Sequence, residues 1–241
     1  MSHLVPPNDG DGGGSRGPAA LSPAVSRYLE AAYYMIHEGE TVRPGRLAEW
    51  LGVSAPTVSA AVHRLERDGW VTVAGDRSVA FTAEGARQAA AVVRRHRVVE
   101  CWLAGQLGLD WVTADAEAER VAHALSDVVL ERLFDSLGRP STCPHGNRIP
   151  DPGADDASVD AALVPLVGVP AGARATVRRI SEMTEHDAPD VLALLDRQGV
   201  VPGAEVTVGE QGDPAVVALR VGRRSVHLSR GTAAAVWVEV A

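Results

Sequence analysis

Apolar positions recur every three or four residues through much of Pro23 to Leu137, then give way to short Val-rich alternations. The first pattern predicts helices and the second predicts strands. A first helix is expected from Pro23 to His37, with Ser22 as N-cap, Pro23 at the first helical position and Gly39 past its end. A second runs from Pro44 to Leu51 and stops at Gly52; a third, capped by Ser54, runs to Arg67. In AEWLGVSAPTVSAAVHRL, Leu47, Ala48 and Leu51 face Val53, Val58, Val62 and Leu65 across a tight glycine turn, which is helix-turn-helix spacing. Two β-prone runs, Trp70–Ala74 and Val79–Phe81, flank Gly75-Asp76-Arg77-Ser78 and read as a hairpin, or wing. Thr82 and Glu84 open a long helix to Leu107, and a further single helix is expected from Thr113 to Leu137.

Gly138 to Gly153 is rich in Pro and Gly and reads as a connector. Beyond it, RATVRRI, AEVTVGE, AVVALRV, SVHLS and AVWVEV alternate with glycine turns, interrupted by one helical stretch, Pro189 to Gln198. The expected fold class is therefore a mainly α N-terminal winged helix-turn-helix and helical dimerisation domain, followed by a small all-β barrel. The boundaries are a disordered tail at 1–21, a DNA-binding unit at 22–82, a helical unit at 83–138, a linker at 139–162 and the barrel at 163–241.

Charge sharpens this reading. The 241-residue chain carries a net charge of −8, which taken alone argues against a nucleic-acid ligand. Residues 43–97, however, hold nine Arg against five carboxylates, a local excess of +4. Such asymmetry suits a DNA-binding module within an acidic protein. All 23 basic residues are Arg, which we read as codon bias. The two Cys suggest no disulfide framework, and no run of ~18 apolar residues suggests a membrane span, so a cytoplasmic setting is expected.

The third helix would present Ser54, Pro56, Thr57 and Ser59 to the major groove, where hydroxyls and free helix N–H groups suit phosphates and thymine methyls. Arg43, Arg46, Arg64, Arg67 and Arg77 are candidate phosphate partners. With Ala60 where a long polar side chain would read a base, specificity is expected to lean on DNA shape. His96 and Glu100 stand four apart on one expected helix, as do Glu119 and His123 on the next, with Asp115 one turn before Glu119. Such pairs suit a divalent transition metal. They equally suit solvated helix faces, since His and acids meet at this spacing by chance about as often. Cys143 and His145 form a lone Cys-x-His, which is weak evidence for a metal. Cys101 reads as a buried structural thiol. No HExxH, serine elbow or glycine-rich phosphate loop is present, so a metallo-hydrolase is a remote alternative and no small organic substrate is expected.

The strings SAPTVSAAVHRLERDGWV, AGDRSVAFT, RRHRVVE and CPHGNRIP, in this order of elements, resemble the diphtheria toxin repressor family of metal-dependent regulators. The resemblance covers Pro23 to Ala241 and implies an SH3-like (FeoA-like) third domain. It implies a homodimer that binds double-stranded operator DNA and represses metal-uptake genes when Mn(II) or Fe(II) is bound, with Co(II), Ni(II) or Zn(II) as surrogates. It also implies an ancillary-type metal site at His96, Glu100, Asp115, Asp187 and Asp190, whose oxygen-rich ligation leans toward Mn(II). A primary-type site would retain Glu119 and His123, but Arg27 and Ala122 stand where the family has ligands. A salt bridge between Arg27 and Glu119 would then replace that metal. The alternative function is a relative that binds DNA independently of metal or senses another signal.

Overall fold

The computed structural model describes residues 21–151, 162–210 and 212–241, without the side chains of 185 and 187. The expected disordered tail and the later part of the linker lie outside the described residues, apart from Leu21 and Ala162.

The helix-turn-helix follows its caps. Helix α1 spans Pro23–His37, and the Ser22 hydroxyl accepts from the Val25 N–H at 3.4 Å. Helix α2, Pro44–Leu51, ends on Gly52 in the left-handed conformation (φ 63°). Helix α3, Ala55–Arg67, is capped by Ser54 and buries Val58, Val62 and Leu65, leaving Ser54, Pro56, Thr57 and Ser59 exposed. Strands β1 (Val71–Val73) and β2 (Val79–Phe81) pair antiparallel as the wing. Tyr28, Leu29, Met35, Leu47 and Trp50 join these elements in one core.

The 25-residue helix α4, Ala83–Leu107, begins against the wing. Thr82 caps it and donates its hydroxyl to the Gly69 carbonyl at 2.7 Å. Gly85 is needed here, because a Cβ would lie 1.7 Å from the Trp70 carbonyl oxygen. Packed on α4 are α5 (Trp111–Val121) and α6 (Asp127–Ser136) around Val98, Val99, Leu103, Ala118, Leu130 and Phe134. This corrects the single helix expected from Thr113 to Leu137. The chain tightens into a 3-10 turn at Ala122–Ala124, Leu125 is extended, and Ser126 caps a new helix by accepting from Val129 at 3.3 Å. A Ser hydroxyl competes well for free helix N–H groups, so it starts a helix more readily than it continues one.

The third domain is an antiparallel six-stranded sheet in the order β3-β8-β4-β5-β6-β7. Its strands are β3 (Val164–Pro165), β4 (Arg174–Ile180), β5 (Glu205–Val208), β6 (Val216–Val221), β7 (Arg224–Ser229) and β8 (Val236–Val240). Short helices α7 (Glu182–Asp187) and α8 (Pro189–Gln198) are inserted between β4 and β5, and α9 (Arg230–Ala234) precedes β8. Val177, Ile180, Leu192, Leu195, Val217 and Leu228 form its core. The β4–β8 register shifts between Val177 and Arg179, so Arg179 and Ile180 are buried in succession where alternation would expose one of them.

Buried charge joins this domain to the helical part. Arg179 on β4 pairs with Glu38 at the end of α1 at 2.6 Å, each side chain 7% exposed. Glu38 also accepts from the Glu182 N–H at 3.2 Å, and the Glu182 carboxylate pairs with Arg97 on α4. His186 stacks on Trp50 with ring centroids 3.9 Å apart. The linker contributes as well. The Ile180 N–H donates to the His145 carbonyl at 2.9 Å, and Asn147 Nδ2 donates to the Ile180 carbonyl at 3.0 Å. The loop Cys143–Asn147 is thus fastened to β4.

Candidate metal centre and DNA interface

Helix α4 supplies the hub of the titratable groups. His96 is buried, with Nδ1 3.3 Å from Glu30 on α1 and Nε2 donating to Asp115 on α5 at 3.1 Å. Burial opposes charge on His96, but Glu30 first, then Asp115 and Glu100, outweigh it and push the imidazole up to about 10. Burial likewise pushes Glu30 up, against the pull of His96 and of the Tyr34 hydroxyl, which donates to Glu30 at 2.9 Å. Asp115, which burial would raise, is instead held low by its hydrogen bond to His96 and by that ring's charge.

Glu100, one turn along α4, turns to different partners. His145 Nδ1 lies 2.5 Å from Glu100 Oε1, and Cys143 Sγ lies 4.0 Å from the same nitrogen. All three side chains are buried, and one donor atom from each falls within 4.8 Å of the others. Among the described residues this is the group of His, Cys and carboxylate donors able to hold a metal ion. The Sγ–Nδ1 separation suits one, since a thiolate ~2.3 Å and an imidazole nitrogen ~2.1 Å from a shared ion can stand at most ~4.4 Å apart, and a bound ion would take the place of the hydrogen bond by which Nδ1 now meets Glu100. Trp111 on α5 meets the His145 ring edge-on at 4.9 Å and helps enclose it.

Of the five expected ancillary ligands, His96 meets Asp115, and Glu100, whose charge also reaches His96, meets His145. Asp190 is exposed at the start of α8 and joins no donor group, and the Asp187 side chain is outside the described residues. Of the primary-type pair, Glu119 binds Arg27 Nε at 3.1 Å, as the salt-bridge expectation required. His123 is exposed on the 3-10 turn, so the break in the helix removes the shared face that its spacing from Glu119 implied. Cys143 and His145 stand outside the expected ligand set. Their only local signal was a Cys-x-His, and their third partner is 43 residues upstream of Cys143.

In the winged helix, α3 leaves its hydroxyl-bearing first turn exposed, and Arg64 and Arg67 are exposed in its last turn. Arg77, at the tip of the wing, holds a left-handed backbone (φ 66°). Three of the expected phosphate partners already hold carboxylates: Arg43 with Asp76 at 3.2 Å, Arg46 with Glu40 at 3.3 Å and Arg67 with Asp68 at 3.0 Å. These are partly or wholly exposed pairs of the strength that a phosphate readily replaces.

A recognition helix with an exposed first turn, together with a donor cluster at the joint between helical core and third domain, points to the class of metal-responsive DNA-binding regulators. Comparison with known proteins places it further. Residues 20–79 match the iron dependent repressor N-terminal DNA binding domain, residues 82–151 the iron dependent repressor metal binding and dimerisation domain, and residues 164–240 the FeoA domain. The chain is 41% identical over 230 residues to the iron-dependent repressor IdeR of Mycobacterium tuberculosis, covering 91% of this chain and 98% of that protein. It is 38% identical over 225 residues to the diphtheria toxin repressor of Corynebacterium glutamicum, covering 91% and 97%. A solved manganese-dependent transcriptional repressor in complex with manganese superposes with a TM-score of 0.80 at 30% identity, covering 90% of this chain and all of that one. The chain belongs to the diphtheria toxin repressor family of metal-dependent transcriptional repressors.

Proposed function

We propose that the chain is a cytoplasmic, dimeric repressor of metal-homeostasis genes, and that its operator affinity is set by a divalent ion held by Glu100, Cys143 and His145. The observation that carries this reading is the buried donor cluster spanning α4 and a loop fastened to the third domain. A thiolate, an imidazole and a carboxylate make a softer set than the oxygen-rich site expected from the sequence. The preference therefore moves from Mn(II) toward Fe(II), with Co(II) and Zn(II) as surrogates. When bound, the ion supplies the positive charge that holds the Glu100 carboxylate and the Cys143 thiolate together.

The chain's own groups do the rest. Glu100 sits on the helix whose first turn abuts the wing, and His145 shares a loop with the carbonyl that accepts from Ile180. Arg97 and Glu182 keep α4 against α7. Fixing the loop to α4 thereby fixes the third domain against the helical core and the winged helix above it. On α5 and α6, Val121, Val128 and Val129 are exposed, Val128 at 73%, which suits burial against a second copy. The Ser54, Thr57 and Ser59 face of α3 then meets the major groove from each half of the dimer.

Fluorescence anisotropy on operator fragments recovered by genomic selection tests this. Affinity is expected to rise about tenfold or more, about 1.4 kcal/mol of coupling, between chelator and added Fe(II) or Co(II). Cys143→Ser and His145→Ala should abolish the rise. Tight binding in chelator, unmoved by any metal, would overturn the reading in favour of a metal-independent regulator.

A further inference from the structure

A polar cavity of about 60 Å³ lies between α1, α2, α4, α5 and α7, with Glu182 and His186 on its α7 side. Arg27, Glu30, His96, Asp115 and Glu119 all line it. In composition it looks like a metal site, but one of its lining groups is the Arg27 guanidinium. Both ring nitrogens of His96 face carboxylates, Glu30 at 3.3 Å and Asp115 at 3.1 Å. Glu119 is bound by Arg27 at 3.1 Å. Ala122 offers no donor atom, and His123 is exposed on its 3-10 turn. No three described donors here come as close together as those of Glu100, Cys143 and His145.

Arg27 is the decisive group. A guanidinium keeps its charge at every working pH and offers only donors, so it can neither ligate a metal nor step aside by deprotonation. Its pair with Glu119 is half exposed, 50% and 52%, so as a clamp between helices it is weak. Its larger effect is on charge: it occupies Glu119 and repels a second cation from the cavity. The tie between α1, α4 and α5 is made by Glu30, His96 and Asp115, which are more deeply buried.

We propose that Arg27 is the built-in cation of this cavity, closing it to metal, so that each chain takes a single divalent ion at Glu100, Cys143 and His145. The second half of this statement rests on the proposed function above; the exclusion by Arg27 does not.

Calorimetric titration of the full-length protein with Co(II), followed by thiolate-to-cobalt absorption, tests both halves. Wild type should take one ion per chain with thiolate absorption, and Arg27→Lys should behave alike. Arg27→Asp should take two, the second adding no thiolate absorption. Arg27→Met, uncharged and similar in length, serves the same purpose if the Asp variant does not fold. Two ions in wild type, one ion without thiolate absorption, or one ion in both the Asp and Met variants would overturn the exclusion. No ion in wild type, with one non-thiolate ion gained in Arg27→Asp, would instead remove the Cys143 site and uphold Arg27 as the barrier.

Discussion

Gly146→Ala tests whether the linker loop is a working part of the metal centre. Gly146 holds φ +85°, and a Cβ there would lie 2.0 Å from the Arg178 carbonyl oxygen and 2.9 Å from the Arg179 Cα. Those are backbone atoms of β4, so no rotamer change relieves the clash and the loop must lift. Left-handed backbone costs an alanine about 1–2 kcal/mol. Lifting also exposes the two bonds that fasten the loop, Ile180 N–H to the His145 carbonyl and Asn147 to the Ile180 carbonyl, at about 0.5–1.5 kcal/mol each. The sum is about 2–5 kcal/mol. Gly138 provides the control: its φ is +75°, but a Cβ there meets nothing within 4 Å, so Gly138→Ala carries the strain alone. The two variants should therefore differ by about 1–3 kcal/mol, or about 2–12 °C in thermal midpoint for a chain of this size. Because His145 adjoins the substituted position and Cys143 lies three residues before it, Co(II) affinity should also fall about tenfold or more in Gly146→Ala and not in Gly138→Ala. Equal midpoints and equal cobalt affinities in the two variants would refute the reasoning.

Other outcomes follow from charge. Glu38→Gln should cost about 3–5 kcal/mol of third-domain docking, read by limited proteolysis at the 151–164 junction, because it leaves Arg179 buried opposite a neutral side chain. The double variant Glu38→Gln, Arg179→Met should recover part of that loss. Arg64→Ala and Arg77→Ala should each lower the salt dependence of operator binding by about one unit of slope and weaken binding alike on all sequences. An unchanged slope would take that residue out of the phosphate contacts. His96 is held at about 10, above its ordinary 6.5, so the stability from its protonation is complete below the unfolded value and is lost as pH rises through 10. Metal-free protein should therefore lose denaturant resistance between pH 7 and 10, while His96→Gln stays flat over that window; parallel curves would show that His96 is not the group responsible.

The winged helix was legible because its boundaries are local chemistry. Ser22 with Pro23, Gly52, Ser54 with Pro56, and Thr82 place caps within a few residues of the groups they satisfy, and the helices begin and end where those caps lie. The same holds for Pro189–Gln198, which starts on a proline and stops on Gly199. The break at Ala122–Ala124 was not legible, because apolar residues continue through it with no glycine or proline to mark it, and the cap at Ser126 reads equally well as a mid-helix serine.

The metal centre divides in the same way. Spacing along α4 brought out His96 and Glu100, but only packing shows which partners each of them meets. Helix α5 brings Asp115 to His96, while the linker, turned back onto β4, brings Cys143 and His145 to Glu100. The charge of Arg27 is plain in the sequence, and its partner is decided by the crossing of α1 and α5. The latch is more distant still, Arg97 with Glu182 and Glu38 with Arg179, pairs 85 and 141 residues apart. Residue identity determines helix, cap, strand and local charge, because those interactions span a few residues. Which buried charges meet is set by how the domains dock, since an ion removed from water is stabilised only by the partner that the whole fold brings to it.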